Sequence, residues 1–127
     1  MMCPCHSKNL YAECCQSYHE GMVAENALKL MRSRYSAYAL SLADYIMQTT
    51  YHIPSSKEWR EDILKFSQNT NFKDLTILEF IDGEKEATVT FRAKLFQNGK
   101  DVSFTEKSLF IKENDHWLYE KAESIKN

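Results

Sequence analysis

Apolar residues recur at helical spacing through the first half of this chain and at alternate positions through the second. Leu28, Met31, Tyr35 and Tyr38 fall at i, i+3, i+7 and i+10, one stripe of a helix predicted from Ala24 to Leu40. Glu25 or Asn26 stands near its start, where an acidic or capping residue is favoured. Ser41 with Asp44 reads as a capping box opening a short second helix, Leu42 to Gln48. Pro54 breaks the chain. Ser55 with Glu58 then predicts a third helix carrying Trp59, Ile63 and Phe66 on one face, and Asn69 to Asn71 reads as a loop.

After the loop the period changes to two. Leu75, Ile77 and Glu79 alternate with Thr76, Leu78 and Phe80, and Asp82-Gly83 turns the chain. Ala87, Val89, Phe91, Ala93 and Leu95 alternate with Thr88, Thr90, Arg92 and Lys94, the pattern of a half-buried strand. Asn98-Gly99 signals a tight hairpin into a strand from Asp101 to Lys112, and Asn114-Asp115 leads to a last strand holding Trp117 and Tyr119. Helices followed by a four-stranded antiparallel meander give an α+β class. Helices laid across the concave face of such a sheet would enclose a cone, an order of elements that resembles the nuclear-transport-factor-2-like fold.

Length and composition narrow the picture little. The 127 residues suit one domain, and 43% hydrophobic with 27% charged residues is ordinary for a soluble globular protein. A formal net charge of −2 supplies no overall basic surface for nucleic acid or an anionic membrane. The apolar runs fall far short of the roughly 20 residues of a membrane span. The N-terminus lacks the basic start and apolar run of a signal peptide, so the expected location is cytoplasmic.

The cysteines carry the chemistry. Cys3, Cys5, Cys14 and Cys15 are the only four in the chain. Pairs this close would close very small disulfide loops of demanding geometry, whereas thiolates so spaced converge on a tetrahedral metal ion. Zinc is the expected ion and iron the alternative. Residues 1–20 then form a zinc knuckle too short for its own core, with metal binding supplying the folding energy, and residues 21–127 form the α+β domain. Four thiolates leave no open coordination position, so the expected role is structural. His6 either replaces one thiolate or donates a hydrogen bond to a sulfur.

Cys3-Pro4-Cys5, Ser7, Tyr11 and Cys14-Cys15 resemble the SEC-C motif, which reads Cys-Pro-Cys-Gly-Ser-Gly, a basic stretch with an aromatic, then Cys-Cys or Cys-His. Met31-Arg32-Ser33-Arg34-Tyr35-Ser36-Ala37-Tyr38 behind that knuckle resembles the YchJ family, as do Phe91-Arg92-Ala93, Glu106, Ser108, Phe110, Trp117 and Tyr119. The resemblance implies a SEC-C knuckle fused to a nuclear-transport-factor-2-like domain; it implies no reaction. His6 stands at the usual glycine, and the basic stretch is reduced to Lys8. Many relatives carry a second such motif at the C-terminus, which the residues up to Asn127 do not repeat.

One polar constellation stands out in the domain. If Asn98-Gly99 is a two-residue turn, Glu106 lies opposite Phe91 and Ser108 opposite Val89, placing a carboxylate on an apolar strand face. An arginine from the first helix, Arg32 or Arg34, is its expected mate, aided by the hydroxyl of Tyr35 or Tyr38. That group is either a structural ion pair or a polar pocket for an anionic ligand. His19, His52 and His116 read as surface residues, with His52 near Asp44 as a weak acid–base pair; Trp59 and Trp117 read as core anchors. Two functions remain open: a non-enzymatic adaptor that binds a protein partner through the knuckle, and a small-ligand receptor or enzyme using the cone. Nucleic-acid binding is disfavoured, because only Lys8 flanks the thiols. An open cavity faced by Glu106 would favour the receptor, and a cone filled by side chains would exclude it.

Overall fold

A computed structural model describes residues 1–51 and 56–127. Among the described residues the helices are α1 (Gln16–His19), α2 (Ala27–Ala39), α3 (Ala43–Gln48) and α4 (Lys57–Asn69). The strands are β1 (Asn71–Ile81), β2 (Glu86–Gln97), β3 (Lys100–Asp101), β4 (Phe104–Glu113) and β5 (His116–Lys126). The class is α+β, as the change of period predicts. No helix among the described residues is long and apolar enough to cross a membrane.

Helix α2 begins where the Asn26 side chain accepts the backbone N–H of Lys29 at 2.8 Å, so Asn26 rather than Glu25 is its cap. It ends with Ser41 N–H donating to Tyr38 O at 3.2 Å and Leu42 N–H to Ala37 O at 2.8 Å, while Ser41 sits at φ 60°. This is the two-bond Schellman ending. It overturns the capping box expected at Ser41 and Asp44: Ser41 closes α2, and α3 starts after Leu42 with no side-chain cap. Helix α4 is capped by Ser56, whose hydroxyl accepts Trp59 N–H at 3.0 Å. Pro54 and Ser55, the expected break and cap, lie outside the described residues. The expected loop at Asn69 to Asn71 shrinks to Thr70.

The strands form an antiparallel meander in the order β1-β2-β4-β5, with β3 paired to β2 across Asn98-Gly99. Positive φ at both turn residues, 51° and 77°, suits a type I′ hairpin. The single strand expected from Asp101 to Lys112 is interrupted at Val102 and Ser103. There the Ser103 hydroxyl accepts Leu95 N–H at 3.0 Å in place of a backbone carbonyl. Inward alternation along β2 is as predicted, with Ala87, Val89, Phe91, Ala93 and Leu95 all buried. In β1 an irregularity between Ile77 and Glu79 shifts the phase, so Phe80 packs on the core where Glu79 was expected. Further bulges between β4 and β5 add to the curvature. The outer edge of β5 is covered by the chain after α3, through Tyr51 N–H to Tyr119 O and Tyr119 N–H to Thr49 O, both 2.8 Å.

Helix α2 is buried on nearly every side. Its Met31 and Tyr35 meet the sheet, and with Ala27 and Leu30 they share one apolar cluster with Cys3, Cys5, Cys15 and Tyr18 of the knuckle. The knuckle therefore packs into the main core. Ala37, Ala43, Ile46 and Ile63 form a second cluster joining α2, α3 and α4.

Candidate metal centre and cone cavity

Cys3 and Cys5 lie at the base of a small hairpin whose arms meet at Met2 and Leu10, with Cys3 N–H donating to Asn9 O at 2.9 Å. Its turn passes through left-handed backbone at His6 (φ 60°) and Lys8 (φ 72°). Those are the two positions where the motif resembled has glycine, the residue that adopts this conformation without a Cβ clash. Cys14 adopts φ −132°, ψ −104° between the 3-10 turn Tyr11–Glu13 and α1, and this bend lets adjacent Cys14 and Cys15 face the same point.

All four Sγ atoms lie within 4.8 Å of one another, with Cys5–Cys14 at 3.6 Å and Cys14–Cys15 at 3.9 Å. A tetrahedron with metal–sulfur bonds of about 2.3 Å has sulfur–sulfur edges of about 3.8 Å. The donor set fits one ion. The thiols act strongly on each other: a hydrogen bond from Cys15 holds the Cys5 thiol down at about 4, and the same bond keeps the proton on Cys15. Burial pushes Cys3 up to about 11. A metal cation resolves that competition by favouring thiolate at each position. The Ser7 hydroxyl lies 3.3 Å from Cys14 Sγ. Arg32 Nη1 donates to Cys5 O at 3.0 Å and lies 3.9 Å from Cys5 Sγ.

Three expectations change here. Arg32 does not join the cone; residues two apart on a helix diverge by about 200°, and Arg32 faces the knuckle while Arg34 faces the sheet. His6 is neither ligand nor sulfur donor. Its Nε2 donates to Phe72 O at 3.2 Å, its ring meets Tyr35 edge-on, and Nδ1 lies 4.0 Å from Asp74, so it pins the hairpin to β1. His19 is no surface residue: Tyr11 O–H donates to its Nδ1 at 2.6 Å, and its Nε2 donates to Ser33 O at 2.8 Å. Burial lowers its pKa below 6.5. A single histidine outside any motif gave no signal for this role. His116 is exposed, and His52 lies outside the described residues.

The cone is open. A cavity of about 430 Å³ lies under α2 and α4, walled by Trp59, Phe66, Phe72, Phe91, Phe104 and Phe110 among others. Trp117 is a buried core residue, whereas half-buried Trp59 lines this cavity. Arg34, Tyr35, Tyr38, Glu106, Ser108 and Tyr119 supply polar groups to its lining. The register places Glu106 opposite Phe91 and Ser108 opposite Val89.

The expected pairing of Glu106 with an arginine is not formed: among the described residues no ion pair within 4.0 Å joins Glu106 to Arg34. Instead Glu106 Oε2 accepts from the hydroxyls of Ser108, next on the same face of β4, and Tyr119, at 3.1 Å on neighbouring β5. Burial and the Glu106 charge both push the Tyr119 phenol well above its ordinary value. Arg34 Nη1 donates to Ile46 O, Thr49 Oγ1 and Thr50 Oγ1 at 3.1, 2.7 and 3.0 Å, and the guanidinium lies 4.8 Å above the Tyr119 ring. Tyr35 donates to Asp74 O at 3.1 Å, whereas the Tyr38 hydroxyl has no hydrogen-bond partner among the described residues.

Comparison with known proteins places this architecture. A family profile described as "YchJ, middle NTF2-like domain" matches residues 26–122. The chain belongs to the YchJ family. A UPF0225 protein of Enterobacter sp. strain 638 is 36% identical over 121 residues, spanning 93% of this chain and 80% of that protein. The solution structure of a SEC-C motif containing protein from Rhodopseudomonas palustris superposes with a TM-score of 0.82 at 30% identity, covering 98% of both chains. The crystal structure of a SEC-C motif containing protein from Psychrobacter arcticus gives a TM-score of 0.79 at 25% identity, covering 94% of this chain and 80% of that one. The YchJ chain thus joins a cysteine cluster able to hold a metal ion to a nuclear-transport-factor-2-like domain.

Proposed function

We propose that this YchJ protein is a cytoplasmic small-ligand receptor, with a zinc knuckle acting as a structural staple and the cone as the working site. The open cavity of about 430 Å³ carries this reading. Its size and its mostly aromatic wall with a few converging polar groups are those of small-molecule sites. Cys3, Cys5, Cys14 and Cys15 would hold zinc, which supplies a cross-link and no open coordination position. Four unpaired thiols suit a reducing compartment.

Metal analysis of freshly purified protein is expected to give about one zinc per chain, and none after Cys14→Ser with Cys15→Ser. Displacement of Nile red, a neutral apolar dye, tests the cone. Dye bound by wild type and rejected by Ala93→Trp, which fills the cavity, supports the receptor; equal binding by both variants rejects it.

The adaptor reading retains one supporting observation: Met2 and Leu10 pair across the knuckle hairpin and are 56% and 48% exposed. It predicts a protein partner whose capture is lost in Leu10→Lys and kept in Ala93→Trp; the receptor reading predicts no such dependence.

A further inference from the structure

Arg34 is 8% exposed, yet every group that its Nη1 meets is neutral: one backbone carbonyl and two threonine hydroxyls. A buried guanidinium with no counter-charge in contact is costly, and the Tyr119 ring and the more distant charge of Glu106 offset only part of that cost. Glu106 and Asp62 also line the cavity, but neither lies within 4.0 Å of Arg34 among the described residues. Glu106 has its own donors in Ser108 and Tyr119.

A guanidinium has donors on three nitrogens. Among the described residues, Arg34 Nε and Nη2 make no hydrogen bond, and the same holds for the Tyr38 hydroxyl beside the same cavity. Nε and Nη2 form the planar fork that matches a carboxylate. Most of the remaining wall is apolar, Phe66, Phe72, Phe91 and Phe104 among it, with Asp62, Glu106, Ser108 and the hydroxyls of Tyr35 and Tyr119 as its other polar members.

We propose that the cone binds a small monocarboxylate with an aryl or alkyl body, its carboxylate seated on Arg34 and Tyr38 and its body among the phenylalanines. The assignment rests on the receptor reading and adds the head-group chemistry to it. A neutral head would leave the buried guanidinium with no counter-charge in contact. A second carboxylate would meet Glu106.

Three probes of one shape separate the two claims: phenylbutyrate, its primary amide and the corresponding alcohol, each titrated against Nile red in the zinc-loaded chain of residues 1–127. Wild type is expected to bind the acid roughly 10- to 100-fold more tightly than the amide or alcohol. Glu106→Gln, which removes a like charge while keeping the shape, is expected to tighten the acid relative to the amide. Arg34→Gln is expected to erase the preference, with its thermal midpoint checked because Arg34 also ties α2 to the end of α3. Should the amide or alcohol match the acid in wild type, the head-group assignment falls while the receptor stands. Should none of the three displace the dye, and Ala93→Trp leave dye binding unchanged, the receptor falls as well.

Discussion

Two side chains in the knuckle hairpin hold left-handed backbone, and they are not equivalent. Lys8 is exposed and makes no side-chain hydrogen bond among the described residues, so its φ of 72° is strain without return. His6, at φ 60°, gains the Phe72 carbonyl and the edge of Tyr35. Lys8→Gly is therefore expected to stabilise the protein by about 1 kcal/mol and His6→Gly by less, read from urea midpoints of the metal-loaded forms. The departure from the glycine pattern was visible in the sequence; its compensation was not, because Phe72 is distant along the chain and its carbonyl leaves no mark in a residue pattern. His19 supplies the second residue-scale expectation. Tyr11 faces its Nδ1, Ser33 O its Nε2, and Ser36 and the edge of Tyr45 pack beside it. Among the described residues no carboxylate pairs with it, and the Cys5 sulfur acts only weakly against the effect of burial. Its folded pKa lies below the unfolded 6.5 because of burial, so the unfolded chain takes up the proton first. The stability this site contributes is present above about pH 6.5 and is lost as pH falls through the folded value. Denaturation midpoints at falling pH should drop more steeply for wild type than for His19→Gln; parallel slopes would count against the assignment.

At the scale of elements, period and turn residues carried most of the information. The alternation of β2 and the Asn98-Gly99 turn were sufficient to set the register that puts Glu106 opposite Phe91. Bulges were not legible: an extra residue in β1 moves Phe80 inward without altering the local composition. Serine suits both a helix start and a helix end, and only the chain reversal after α2 gives Ser41 the second role. A Schellman ending favours glycine at that left-handed position. Ser41→Gly is expected to raise stability by about 1 kcal/mol, whereas loss of an N-cap would lower it. A fall in the thermal midpoint on Ser41→Gly would show that the hydroxyl matters more than the backbone.

For the whole molecule, the predicted boundary after residue 20 describes the chemistry better than the packing. Cys3, Cys5, Cys15 and Tyr18 share a core with Met31, Tyr35 and the sheet. Removing the metal with a chelator is expected to lower the midpoint of the entire chain in a single transition, followed by both tryptophan fluorescence and far-ultraviolet dichroism. Two separate transitions would mean that the knuckle melts alone. The division between knuckle and cone also shaped the misplacement of Arg32: a stripe read from apolar positions assigns one inner face to α2, whereas the helix has two.

That doubly buried helix sets a relation between the two sites. Arg32 holds the Cys5 carbonyl and Arg34 lines the cone from the same turn of α2, so a shift of this turn alters both places together. Any factor by which an occupant of the cone changes metal affinity must then equal the factor by which metal changes the occupant's affinity. If that factor exceeds one, an occupant of the cone is held more weakly by the metal-free chain, and metal supply would be reported as ligand occupancy.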